Sequence, residues 1–343
     1  MKRGPFGISA VFAVALLAGD AFLVAQPAPS TTEFIAFRVD DRHVVAVVGE
    51  TGDGPDDRPG REAISTFGFP FRDAEPAVGA KIPPPVAAAK QWTIDLGVGR
   101  RLTAEFDRLV QGSASCTGLA GVLLRVDDPQ RQFLNTREKH YVAEPSGATR
   151  PASRERPARP APIDRPQIDS LLGDLLTREL PAMTSGAKEE IDRFASSESE
   201  DHRAWARSRR QIDDAMASGK AQLQYDVQSF SLRPDDVPLY FVRAEWRVGG
   251  SPAFGAALWI KGGAPLTIVE QNLGPAHFIR LYEFQGELSR QLFGMVLNVV
   301  DRDGDGWREI VFARGGYESM EIALLELTPT GFAPTGIGYT YGC

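Results

Sequence analysis

The sequence predicts an α+β fold that is mostly β, with two β-rich domains and a helical segment between them. Three observations lead there. Short runs rich in Val, Ile, Phe, Trp and Tyr, punctuated by Gly and Pro, occupy both halves of the chain. Between them lies a stretch whose apolar residues recur with helical period. An Arg- and Pro-rich tract precedes that stretch and marks a boundary. Composition agrees, since 343 residues at 43% hydrophobic and 24% charged suit a globular chain with a sizeable core. With 38 Lys+Arg against 45 Asp+Glu the formal charge is −7, which lacks the basic excess that nucleic-acid binding needs.

Residues 1–25 have the pattern of a secretory signal peptide. Lys2 and Arg3 precede an apolar run from Ile8 to Ala18, and small residues ending at Ala21 or Ala25 offer two cleavage points. The run is too short to span a bilayer, and extending it would bury Asp20. Cleavage after Ala25 removes Lys2, Arg3 and Asp20 and takes the charge from −7 to −8. No later stretch is apolar enough to cross a membrane, so the mature chain is expected to be secreted or periplasmic without a membrane span.

The N-terminal β-rich domain (26–147) opens with Phe34–Val39 and His43–Val48, joined by Asp40-Asp41-Arg42 as a hairpin would be. Glu50–Glu62 is an acidic Gly/Pro loop. Further strands are expected at Trp92–Leu96, Leu102–Leu109, Leu119–Val126 and His140–Ala143. Residues 148–167 carry five Pro and five Arg and no apolar period, which describes a solvated linker. In the helical segment (168–218), Ile168, Leu171, Leu172, Leu175, Leu176 and Leu180 share one helix face before Pro181, where the helix is expected to stop. A second helix is expected from about Ala187 to Ala217, with a salt-laced outer face. The pattern favours a packed helical hairpin over the alternative, a coiled-coil or partner-binding surface. From 219 to 343 a β-meander is expected, with strands at Leu239–Val248, Ala253–Ile260, Leu266–Gln271, Phe278–Phe284 and Met295–Val300.

Two cysteines, Cys116 and Cys343, remain after cleavage, and an oxidising compartment would let them close a disulfide. The alternative is a buried thiol and a frayed terminal one.

One motif carries chemistry. Asp301-Arg302-Asp303-Gly304-Asp305-Gly306-Trp307-Arg308-Glu309 reads D-x-D-x-D-G-x-x-E, between the strand-like LNVV (297–300) and IVFA (310–313). Acids at alternating positions of a tight loop point inward together, and Ca²⁺ takes hard oxygen ligands of this kind. Candidate ligands are the carboxylates of Asp301, Asp303, Asp305 and Glu309 and the backbone carbonyl of Trp307. An EF-hand would need a Glu at loop position twelve between helices. That position is Phe312, inside a strand-like run.

The loop instead resembles the calcium-binding hairpin of FG-GAP repeats, the integrin-type propeller blade, in which alternating acids, Gly and a final acid lead into an apolar strand. The resemblance covers about residues 297–327. It implies ligand roles for Asp301, Asp303, Asp305, Trp307 and Glu309, the last standing where the family often has Asp. No second copy or regular blade period is visible, so a complete β-propeller is not expected.

Catalytic signatures are missing from the sequence. His43, His140, His202 and His277 are isolated, Gly112–Cys116 does not satisfy G-x-S-x-G, and no phosphate-binding or dinucleotide fingerprint occurs. Asp235, Asp236 and Glu245 could pair in a glycosidase only if the fold brought them together. The sequence therefore points to a calcium-binding envelope protein with a binding or structural role toward a protein or glycan ligand. The alternative is a secreted hydrolase in which calcium only holds a hairpin.

Overall fold

A computed structural model describes residues 33–53, 63–64, 70–97, 100–114, 117–127, 130, 132, 134, 140–146, 164–232, 238–263, 265–275, 294–302, 305–315, 319–328 and 331–342. About twice as many of these residues lie in strands as in helices, so the protein is a mostly-β α+β fold and not a complete propeller. The expected signal peptide, nearly all of the linker and the expected strand at Phe278–Phe284 lie outside the described residues.

The first strands are β1 (Phe34–Arg38), β2 (His43–Asp53), β3 (Ala63–Ile64), β4 (Pro70–Asp73), β5 (Gln91–Asp95), β6 (Arg101–Ala114), β7 (Thr117–Val126) and β8 (His140–Pro145). Six of them close an antiparallel barrel in the order β6-β5-β8-β1-β2-β7 and back to β6, while β4 and β3 extend from β6. The long β6 makes closure possible. It pairs along most of its length with β7, and on its other side first with β5 and then with β4. A register shift between Phe106 and Arg108 supplies the local bend that closure requires.

Alternation assigns the two faces of each strand. Phe34 and Ala36, Val44 and Ala46, Val122 and Leu124 fill the barrel, together with Trp92, Ile94 and Tyr141. Two short helices, α1 (Pro76–Gly79) and α2 (Pro84–Ala88), add Val78, Ile82 and Val86 to that cluster directly or from the turn between them. The intervening residues Ile35, Phe37, Val45, Val47, Leu119 and Leu123 are equally buried on the outside of the barrel.

What buries them is the C-terminal sheet, β13 (Met295–Val300), β14 (Glu309–Gly315), β15 (Ser319–Thr328) and β16 (Gly331–Gly342), paired in sequence order. Its Val300, Val311, Ala313, Ile322, Leu324 and Ile337 meet the barrel. Its Ile310, Phe312, Ala323 and Leu325 meet Leu239, Phe241, Ala257 and Trp259 of a central sheet. That sheet has the order β12-β11-β10-β9 and comprises β9 (Gln222–Phe230), β10 (Leu239–Val248), β11 (Ser251–Lys261) and β12 (Thr267–Pro275). Its far face, with Tyr240, Val242, Ala256, Leu258 and Ile260, takes Ile168, Leu172, Leu175 and Met216 from two helices. The layers therefore run barrel, C-terminal sheet, central sheet, helices, and Thr32–Cys343 clusters as one compact unit. Fully burying a Val, Ile, Leu or Phe is worth about 1.5–3 kcal/mol, so β14, apolar and buried at each position from 310 to 313, is a major contributor.

The helices correct the expectation at Pro181. α3 (Arg165–Ala195) runs through Pro181, and α4 (Glu200–Ala217) follows after a break at 196–199. Proline removes one helical hydrogen bond, but the apolar stripe from Ile168 to Leu180 is anchored on the central sheet before it, and α4 packs along the remainder. Thr184 Oγ1 donates to the carbonyls of Leu180 and Pro181 within the interrupted turn. The chain breaks where Ser196 to Ser199 compete for helical hydrogen bonds. Ser196 caps α3 by donating through Oγ to Asp192 and Arg193 carbonyls. α3 also starts three residues earlier than the sequence suggested, at Arg165, because Asp164 caps it by accepting from the Gln167 N–H at 3.4 Å and Pro166 suits the first turn.

Candidate metal centre

The hairpin β13–β14 places the acidic loop. Val300 pairs with Glu309, so the first and last acids of the motif, Asp301 and Glu309, meet at its base. Both are buried, at 2% and 6% exposure. The Arg302 N–H donates to Glu309 Oε2 at 3.1 Å, tying the two ends together. Toward the tip, Asp305 Oδ1 accepts from the Trp307 N–H at 2.7 Å, and Gly306 sits at φ +89°, a conformation that a Cβ would oppose. Asp305 is exposed, and Trp307 is 48% exposed. Asp303 lies outside the described residues.

The base of the loop rests on the barrel. Arg101, at the start of β6, donates through Nη2 to the carbonyls of Asp301 at 3.4 Å and Arg302 at 3.2 Å, and through Nε to Asp95 Oδ2 at 3.2 Å. Asp95 also accepts the Gly97 N–H at 2.7 Å. Burial pushes the Asp95 carboxyl above its usual range, the Gly97 N–H and Arg101 pull it down, and the nearby Asp301 charge raises it again. Arg302 Nη1 lies 3.7 Å from Glu33 Oε2. Asp95 therefore pairs with the Arg101 guanidinium and Glu33 lies near that of Arg302, while Asp301 and Glu309 are buried at the loop base itself.

A shallow cavity of about 200 Å³ opens beside the loop, lined by Leu232, Asp305, Trp307, Arg308 and Glu326 among others. Arg308 is pinned there by donating from Nη1 to the Ser231 carbonyl at 2.8 Å, while its own N–H donates to Leu232 O at 2.8 Å.

The donor set fits Ca²⁺ in kind, being hard oxygens with no nitrogen or sulfur among them. Among the described residues no group of three or more His, Cys, Asp or Glu side chains converges as a metal cage. Of the sequence candidates, Asp301 and Glu309 come together at the base, whereas Asp305 and Trp307 sit at the rim.

Sequence reasoning missed Arg101, Asp95 and Gly97, which are about two hundred residues away in the chain and carry no motif. One signal was present. Asn298 is a polar residue inside the apolar run LNVV, and in the fold it is buried, donating through Nδ2 to His140 O at 2.9 Å and Leu96 O at 3.3 Å. Cys116 and Cys343 lie outside the described residues. Their neighbours are close to one strand: Thr117 pairs with Asp53 of β2, and the Thr340 N–H donates to Glu50 Oε1 of β2 at 3.2 Å.

Among the described residues no helix is long and apolar enough to cross a membrane. No family model, curated protein or solved structure matches the chain.

Proposed function

We propose that the protein is a secreted or periplasmic calcium-binding protein, in which the loop Asp301–Glu309 takes one Ca²⁺ and the molecule serves a binding or structural role at the cell envelope, toward a protein or glycan ligand. The observation that carries this reading is the burial of two motif carboxylates, Asp301 and Glu309, side by side at the loop base. The two carboxylates lie in a place where charge is costly to bury, and a divalent cation held between them would offset that cost. The alternating acids of the sequence and their resemblance to the FG-GAP hairpin support the same ion.

In this reading the ion supplies charge neutralisation and a cross-link. Asp301 and Glu309 would hold it at the base, with Asp303, Asp305 and the Trp307 carbonyl as the further ligands that the FG-GAP resemblance implies. Strands β13 and β14 flank the loop, so the ion would act as a fastener, in contrast to a calcium sensor whose flanking helices open.

Calorimetry on the chelator-treated full chain tests the proposal. Extracellular calcium modules commonly bind at about 10⁻⁴–10⁻³ M, so saturation is expected in the millimolar range. Absence of binding at several millimolar calcium would leave the motif an acidic turn. Compartment is tested separately, by fractionating cells that express a C-terminally tagged chain: a mature N-terminus near Phe22 or Gln26 outside the cytoplasm is expected.

A further inference from the structure

We infer that the barrel's β5–β6 turn is a working part of the calcium site, so that calcium binding clamps the barrel to the C-terminal sheet. The inference rests on calcium binding at the loop as proposed above. At the loop base the barrel and the hairpin meet through Arg101, Asn298 and Gly97. Arg101 holds the carbonyls of Asp301 and Arg302, which fixes the backbone that carries the first ligand. Asn298 ties the strand entering the loop to Leu96, in the turn, and to His140 of β8. The same side chain accepts the Val299 N–H at 2.8 Å through Oδ1. Finally, Gly97 comes so close that a Cβ there would collide with the Val299 carbonyl and lie 2.7 Å from Asn298 Oδ1.

Two effects of Arg101 on a cation oppose each other. Its charge repels Ca²⁺, but Asp95 lies on the same guanidinium and compensates that charge. Its hydrogen bonds remove backbone freedom from the loop before the ion arrives, and preorganisation lowers the entropy lost on binding. With the charge compensated, preorganisation dominates. Arg101 is thus a positioning residue, and linkage requires the effect to be reciprocal: if the docked turn favours the ion, the ion favours the docked turn.

Hydrogen exchange on the full-length chain, titrated with Ca²⁺ alone, reads this directly. The expected result is that calcium slows exchange of the Val299 amide in the hairpin and, at the same half-saturation, of the Gly97 amide and the β5 and β6 amides in the barrel. Arg101→Met is expected to weaken calcium binding about fivefold or more, the lower range of such couplings, and to abolish the barrel response. Protection confined to the hairpin, or an Arg101→Met chain that binds calcium as well as or better than wild type, overturns the inference and leaves the calcium proposal standing. Failure of the wild-type chain to bind calcium overturns the proposal itself. Should Arg101→Met not fold, the wild-type exchange pattern still decides.

Discussion

Asp301 and Asp305 occupy the same repeating pattern, yet their surroundings give them different tasks. Asp301 is buried at the strand end, while Asp305 is exposed and shapes the turn by accepting the Trp307 N–H. Asp301→Asn keeps the shape and removes the charge, so calcium affinity is expected to fall about tenfold, or ~1.4 kcal/mol, in calorimetry. Arg308→Ala is expected to change it little, since that side chain bonds Ser231 away from the loop base. Mg²⁺ should compete poorly, because its small octahedral shell holds its own waters. A second acid sets a turn in the barrel. Asp40 accepts the Arg42 and His43 N–H groups at 2.7 and 2.8 Å and pairs with the His43 ring. Burial raises its pKa, but those bonds outweigh burial and leave it below the ordinary 3.8. A carboxyl lowered in the folded state contributes stability above its unfolded pKa and loses it as pH falls through the folded value. Asp40→Ala is therefore expected to cost about 1 kcal/mol near neutral pH, with the difference from wild type vanishing in acid unfolding below pH 3.8. A difference that persisted in strong acid would assign the cost to something other than the carboxylate.

Among the elements, α3 departs furthest from what its sequence suggests. Pro181 is exposed on a helix that runs for 31 residues. An interior proline costs about 3 kcal/mol relative to Ala, and here the packing of α3 on the central sheet and on α4 outweighs it. Pro181→Ala is expected to raise stability by about 1–3 kcal/mol in urea denaturation at an unchanged slope. A loss of stability would mean that the backbone geometry proline imposes at this position is required by the packing of α3. The strands were the more legible elements. The sequence placed β13 at Met295–Val300, and the structure has the same span. β10 likewise agrees at Leu239–Val248. β6 is longer than its apolar run, because Gln111 to Ala114 continue by pairing with β7 and, in part, β4. Pairing partners, not propensity, determine where such a strand ends.

At the scale of the molecule, the barrel and the C-terminal sheet share one apolar interface despite lying at opposite ends of the chain. β16 runs beside β1, β2 and β7, which brings the C-terminal strand alongside the strand that precedes the acidic Gly/Pro segment. A bridge between Cys116 and Cys343 would then cross-link elements already in contact, and closing a loop of more than 200 residues stabilises by at most about 5 kcal/mol in the chain-entropy model. Alkylation of the denatured, unreduced exported protein is expected to modify neither cysteine. Two modified thiols per chain would remove the bridge.

The sequence by itself determined the β-rich class, the helical segment between β regions, most strand positions and the acidic hairpin loop. Each of these depends on local periodicity, turn chemistry or a contiguous motif, which neighbours in the chain carry. It did not determine that six strands close a barrel, that both faces of the C-terminal sheet are covered, or that Arg101 and Asn298 join the loop to the barrel. An alternating strand looks the same in sequence whichever layer covers it, and a hydrogen bond between residues two hundred positions apart leaves no local pattern. Those features were decided only when the chain folded and burial on both faces selected which strands lie against one another.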